Sequence, residues 1–113
     1  RLDCNAARFK KASTRLTMAD FDGRELISLI EEFVKIEERW IPPKSEYSLY
    51  LRPFHFSIDD ALGVKKPEKT QISIVASPVG PYYATGFKPI SLYCATETIR
   101  SAPKGTGGYK VGG

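Results

Sequence analysis

Sulfur and imidazole are scarce in this chain, which has two cysteines, one methionine and one histidine in 113 residues. Cys4 and Cys94 stand far apart and no CxxC occurs, so neither a disulfide framework nor a zinc centre has enough ligands at workable spacing. No metal is expected, and both cysteines are expected as free thiols of a reduced compartment. Long apolar runs are absent too. Lys, Arg, Glu and Asp interrupt every apolar stretch well short of the roughly 18 residues a membrane span needs, so the chain is expected to be soluble. Residue 1 is Arg, and no charged, apolar and small-residue leader pattern is legible ahead of the fold. The length suits one small domain with a single modest core.

What is present is a mildly basic, mixed composition. Seventeen Lys and Arg against thirteen Asp and Glu give +4, which permits nucleic-acid or phosphate binding without requiring it. Asn5 to Leu16 spaces Phe9, Ala12 and Leu16 on one helical face, with Asn5 suited to the N-cap and Arg8, Lys11 and Arg15 on another face. Asp22 with Glu25 forms a variant capping box. Leu26, Leu29, Ile30, Phe33, Val34 and Ile36 then hold helical spacing up to Trp40 and the Pro42–Pro43 stop. Ser48 to Phe56 alternates, placing Tyr50, Arg52, Phe54 and Phe56 on one strand face and Leu49, Leu51 and Pro53 on the other. Further strands are predicted at Gln71 to Ser77 and Ile90 to Cys94, flanking a turn-rich SPVGPYYATGFKP segment. Two helices leading into several strands predict a two-layer α+β domain.

Three constellations carry possible chemistry. After Lys104 come Gly105, Gly107, Gly108, Gly112 and Gly113 around a Tyr109–Lys110 pair, close behind Arg100. Such backbone offers unhindered N–H groups to an anion, Arg100 adds bidentate charge, and a lysine there could form an imine; a solvated linker is the plainer reading. The loop lacks the GxxxxGK[ST] pattern of a nucleotide P-loop. Arg52 on an aromatic strand face is either edge-exposed or awaits a carboxylate. The same face invites a base-stacking RNA reading, although the glycine-aromatic signature strand of that module is missing. Arg8, Lys11 and Arg15 read most simply as the wet face of a helix. His55 and Met18 read as packing or surface residues.

Taken together, LYLRP (Leu49 to Pro53), ALGVKKP (Ala61 to Pro67), SPVGPYY (Ser77 to Tyr83), GFKPISL (Gly86 to Leu92) and IRSAPKGTGGYKVGG (Ile99 to Gly113) resemble, in order and spacing, the branched-chain amino-acid aminotransferases. These are class IV pyridoxal-phosphate enzymes, related to D-amino-acid aminotransferase. The helical RLDCNAARFKKASTRLTM also resembles the family, so the likeness runs through essentially the whole chain.

The resemblance implies transamination of leucine, isoleucine and valine with 2-oxoglutarate, giving branched 2-oxo acids and glutamate, on pyridoxal 5'-phosphate in a homodimer. It implies no nucleic-acid or membrane partner, and a cytoplasmic or mitochondrial location. By position, Lys110 corresponds to the lysine that bonds the cofactor, and Arg8 and Arg100 to two arginines around its phosphate. Tyr50 and Arg52 correspond to the substrate-side pair, with Arg52 accepting the side-chain carboxylate of glutamate. Leu62 and Val64 fall in the loop that reaches the partner subunit's substrate pocket, and Tyr82 in the interdomain loop over the substrate. Lys104 departs from the pattern, standing where the family has the first glycine of GGTG or GGxG. A partial small domain is expected over 1–86, with a D-amino-acid-aminotransferase-like, mainly antiparallel sheet and two helices. The connection to a large domain is expected over 87–113. Further strands are expected before Arg1 and the large domain after Gly113, so these residues alone are expected not to be catalytically competent. The alternatives are a basic nucleic-acid-binding α/β module and a related class IV enzyme acting on D-amino acids or aminodeoxychorismate.

Overall fold

A helix begins as soon as the chain does. The computed structural model describes residues 1–112, and α1 runs over Leu2–Arg15. Asn5 is not its N-cap: Asn5 N–H donates to the Arg1 carbonyl at 3.2 Å, and Arg1 occupies the cap without a side-chain bond. Leu, Asp and Cys at positions 2 to 4 extend the helix by a turn, with Asp3 favourably placed against the N-terminal end of the dipole. The C-terminus closes as a Schellman motif. Thr17, at φ 56°, donates to Thr14 O at 3.0 Å, and Met18 N–H reaches Ser13 O at 3.0 Å.

Helix α2 covers Gly23–Ile36. Asp22 caps it as the sequence predicts, its carboxylate accepting from Arg24 N–H at 2.7 Å. The α-helix stops four residues before Trp40, and Glu38–Trp40 tighten into a 3₁₀ turn ahead of Pro42–Pro43. Leu26 and Ile30 of α2 are buried with Ala6 and Ala12 of α1, and these four form the apolar core. Between the helices, Lys10 Nζ meets Asp20 at 2.9 Å and the Phe21 carbonyl at 2.9 Å, fixing the connecting turn.

Strands β1 (Ser48–Ser57) and β2 (Thr70–Val79) pair antiparallel, from Ser48 opposite Val79 to Ser57 opposite Thr70. Leu49, Leu51, Pro53 and His55 are half-buried, whereas Tyr50, Arg52 and Phe54 are exposed, so the alternation predicted for β1 is observed as far as His55; Phe56, predicted on the Tyr50 face, is half-buried and stacks on Phe54 at 5.4 Å. The expected third strand is not there: Ile90 to Cys94 form neither helix nor strand and are exposed. Pro89 stands directly before them, and the sheet ends with two strands.

The layers meet at His55. Its ring lies 5.9 Å from Phe21 and 6.3 Å from Phe9, and Nδ1 bonds Ser13 Oγ at 3.0 Å. Beyond Val79 the described residues form no helix or strand. The radius of gyration is 17.5 Å, against roughly 13 Å for a compact domain of about 100 residues. No described helix is long and apolar enough to cross a membrane.

Candidate active site

The open face of β1 presents a tyrosine and an arginine two residues apart, hence on the same side of the strand. Arg52 is exposed on a strand of a two-stranded sheet and has no carboxylate partner among the described residues; its guanidinium lies 5.2 Å from the Tyr50 ring centroid and donates to the phenol oxygen at 3.5 Å. The Tyr50 hydroxyl is held below its ordinary value of 10.0, first by this hydrogen bond and then by the Arg52 charge; a smaller contribution comes from the charge of Lys110. A guanidinium and a phenol on an open sheet face can bind a carboxylate, and an exposed lysine amine such as that of Lys110 can bond a carbonyl carbon.

The approach of Lys110 is set by the turns before it. Gly105 N–H closes a turn on Ala102 O at 3.0 Å, and Tyr109 N–H closes another on Thr106 O at 2.9 Å. A side chain at Gly107 would collide with that of Ser101, so the backbone passes there only as glycine. Lys104 adopts φ 62°, the left-handed region in which glycine is at ease. Gly113, the last of the glycines in this tail, lies outside the described residues.

On the other side of the segment, Tyr109 rests on α1. Lys11 Nζ is 5.1 Å and Arg15 Cζ 5.7 Å from its ring centroid. Lys11, Thr14, Arg15, Thr17 and Tyr109 line a shallow depression of about 570 Å3. The stripe read as a wet helix face thus receives the tail, a contact that no residue spacing announces.

The remaining expected residues lie apart from this cluster. Arg8 is exposed and donates to Asn5 Oδ1 at 3.3 Å. Arg100 is exposed. Among the described residues no hydrogen bond or ion pair joins either arginine to the other or to Lys110. Tyr82 is exposed, its ring edge-on to Tyr83 at 4.8 Å. Leu62 and Val64 are fully exposed, at 106% and 109% of the reference area, in the loop joining β1 to β2. That loop is closed at its neck by Asp59, a residue sequence reasoning passed over. Its carboxylate accepts from Lys69 N–H at 2.8 Å and Glu68 N–H at 3.0 Å. These two bonds hold the Asp59 carboxyl below its ordinary value, Glu68 first. An aspartate that accepts from backbone amides in a turn is the available signal.

An aldehyde cofactor carrying a phosphate asks for an amine and cations: Lys110 offers an exposed amine, and Arg8 and Arg100 are exposed guanidinium groups without a carboxylate partner among the described residues. No group of described His, Cys, Asp and Glu residues is arranged to hold a metal ion.

No protein-family model matches the chain. Curated relatives do. The mitochondrial branched-chain-amino-acid aminotransferase of Schizosaccharomyces pombe is 46% identical over 109 residues, 96% of this chain and 26% of the relative. The cytosolic branched-chain-amino-acid aminotransferase of Ovis aries is 40% identical over 114 aligned positions, 100% of this chain and 30% of the relative. A branched-chain-amino-acid aminotransferase of Mycolicibacterium smegmatis is 36% identical, covering 100% of this chain and 31% of the relative. The chain spans between a quarter and a third of the length of these relatives. Along nearly its whole length, then, this chain is a homologue of one part of the branched-chain-amino-acid aminotransferases.

Proposed function

We propose that the protein to which these residues contribute transaminates leucine, isoleucine and valine with 2-oxoglutarate, using pyridoxal 5'-phosphate bonded through Lys110. What supports this reading is the guanidinium–phenol pair on an open strand face and a lysine in a glycine-rich tail, in a chain 36–46% identical along nearly its whole length to one part of enzymes named for that reaction. The relatives' names favour a branched-chain substrate over D-amino acids or aminodeoxychorismate, and give nothing to a nucleic-acid module. They include mitochondrial and cytosolic forms, in keeping with a location in either compartment.

When bound, the cofactor supplies an electron sink for the bond broken at the amino-acid α-carbon. The residues of this chain do the rest. Lys110 is the residue whose amine would hold the cofactor, and the same amine, when free, would take the proton from the amino-acid α-carbon. Arg52 binds the side-chain carboxylate of glutamate or 2-oxoglutarate, and Tyr50 holds the guanidinium in place. Arg8 and Arg100 are assigned to the phosphate, where two guanidinium groups meet a dianion bidentately. Leu62 and Val64 are assigned to a second subunit's substrate pocket, a placement that suits two apolar side chains uncovered by their own chain. Tyr82 is assigned to a loop covering the substrate. We further assign residues 1–86 to a small domain of D-amino-acid-aminotransferase-like fold and 87–113 to the connection toward a large one.

The test uses the full-length protein. Arg52→Leu should lower kcat/KM for glutamate by more than about 2 kcal/mol of transition-state stabilisation, because a desolvated carboxylate loses its charged partner, while leucine loses only packing. Lys110→Ala should abolish cofactor attachment that borohydride reduction makes permanent, read by intact mass. Equal losses for glutamate and leucine remove the role of Arg52; retained attachment removes that of Lys110.

A further inference from the structure

Lys11 and Arg15 stand four residues apart on α1, one turn of helix, and like charges so placed repel. Neither has a carboxylate partner among the described residues; both instead face one ring, that of Tyr109. The negative face of an aromatic ring relieves that repulsion, and each contact favours the ring staying where it is. The burial pattern along the tail agrees. Tyr109 and Val111 are half-buried while Lys110 between them is exposed, the alternation of an extended segment seated on one side. Gly105, Gly107 and Gly108 precede it and leave the backbone free to take many other courses.

We infer that Tyr109 is the positioning residue for Lys110: its ring, held by Lys11 and Arg15, seats the tail on α1 and so turns the Lys110 side chain outward, away from the helix. The inference rests on the reading of Lys110 as the cofactor-bonding lysine. Only the ring face is needed, since the Tyr109 hydroxyl makes no hydrogen bond to the other described residues. Phenylalanine therefore suffices at this position, and removing the ring or both cations releases the segment.

The experiment compares full-length wild type, Tyr109→Phe, Tyr109→Ala and the double variant Lys11→Met with Arg15→Met. Amide hydrogen exchange over residues 106–112 reads the seating, and the absorbance of bound pyridoxal phosphate during dialysis reads its consequence at Lys110. Two contacts of this kind correspond to about a tenfold change in an opening equilibrium. Exchange and cofactor loss should therefore each quicken about tenfold in Tyr109→Ala and in the double variant, and stay near wild type in Tyr109→Phe. Unchanged exchange in Tyr109→Ala overturns the inference, as does a Tyr109→Phe protein as disturbed as Tyr109→Ala. If exchange quickens while Lys110→Ala still bonds the cofactor covalently, the seating stands and the reading of Lys110 falls, which separates the two failures.

Discussion

Residues before Gly80 and residues after Val79 solve the same problem differently. The first region contains every helix and strand of the described chain and buries Ala6, Ala12, Leu26 and Ile30. The second keeps Phe87, Leu92, Tyr93 and Ile99 exposed, closes its backbone through short turns, and rests on the first through the Tyr109 ring. Amphipathic periodicity is enough to build the first region, because Ala6, Ala12, Leu26 and Ile30 find partners on the neighbouring helix, although Leu62 and Val64 in the hairpin loop stay exposed. Apolar residues in the second have no such local partner, so burying them takes surface from elsewhere. The lesson is that a site can be spread across a region that organises itself and one that is organised from outside.

The sharpest way to break this comparison is to remove a leucine from each region. Leu26→Ala should cost about 2–5 kcal/mol, the range for emptying a buried leucine site. Leu92→Ala in the 113-residue chain should stay within about 0.5 kcal/mol, because an exposed side chain has little packing to lose. Denaturant unfolding of both variants, in this chain and in the full-length protein, checks the pair. A large cost for Leu92→Ala in the shorter chain would show that the second region has a core of its own.

The same division explains what was legible in the sequence. Asp22 as a cap, and the alternation of Leu49, Leu51 and Pro53 against Tyr50, Arg52 and Phe54, are local patterns found in the structure; of the apolar stripe predicted for α2, Leu26 and Ile30 are buried and Phe33 and Val34 half-buried, while Leu29 and Ile36 are exposed. The start of α1 was misplaced because Asn5 suits a cap, whereas Leu2 to Cys4 had no reason not to be helical. Ile90 to Cys94 have strand-like composition and no strand to pair with, which composition does not reveal. The candidate site was legible by likeness, since LYLRP and GYK match a family in order; its geometry was not. Tyr109 on Lys11 and Arg15, and Asp59 at the neck of the hairpin loop, join residues whose spacing carries no periodic signal.

His55 offers a smaller test, confined to the first region. Removing water from its ring holds the imidazole below its ordinary value of 6.5, so the folded chain binds fewer protons than the unfolded one as pH falls. Its contribution is fully present above the unfolded value and is lost as pH drops from about 6.5 through the lower folded value. Thermal unfolding should therefore move to lower temperature on acidification in that window, and His55→Phe should flatten the dependence. Ser13→Ala should cost about 1 kcal/mol, the usual worth of a lost hydrogen bond. An unaltered pH profile in His55→Phe would mean that the joint between helices and sheet is held by Phe9 and Phe21 alone.

The smallest expected effect asks whether left-handed backbone is tolerated for the same reason in both regions. Thr17 and Lys104 have φ of 56° and 62°, and a residue with a Cβ loses about 1–2 kcal/mol there. At Thr17 two hydrogen bonds of the helix end compensate, from Thr17 to Thr14 and from Met18 to Ser13. At Lys104 one turn bond does, from Gly105 to Ala102, in the position where related sequences are expected to carry glycine. Glycine relieves the strain but gives the unfolded chain more freedom, so the net gain is only about 0.5–1 kcal/mol. Lys104→Gly should stabilise a turn that already has this shape without altering its path. Amide exchange over residues 101–107 should slow in the full-length protein, while exchange over 109–111, governed by the Tyr109 seat, stays as it was. Faster exchange over 101–107 would show that the lysine side chain, rather than the backbone angle, holds this turn.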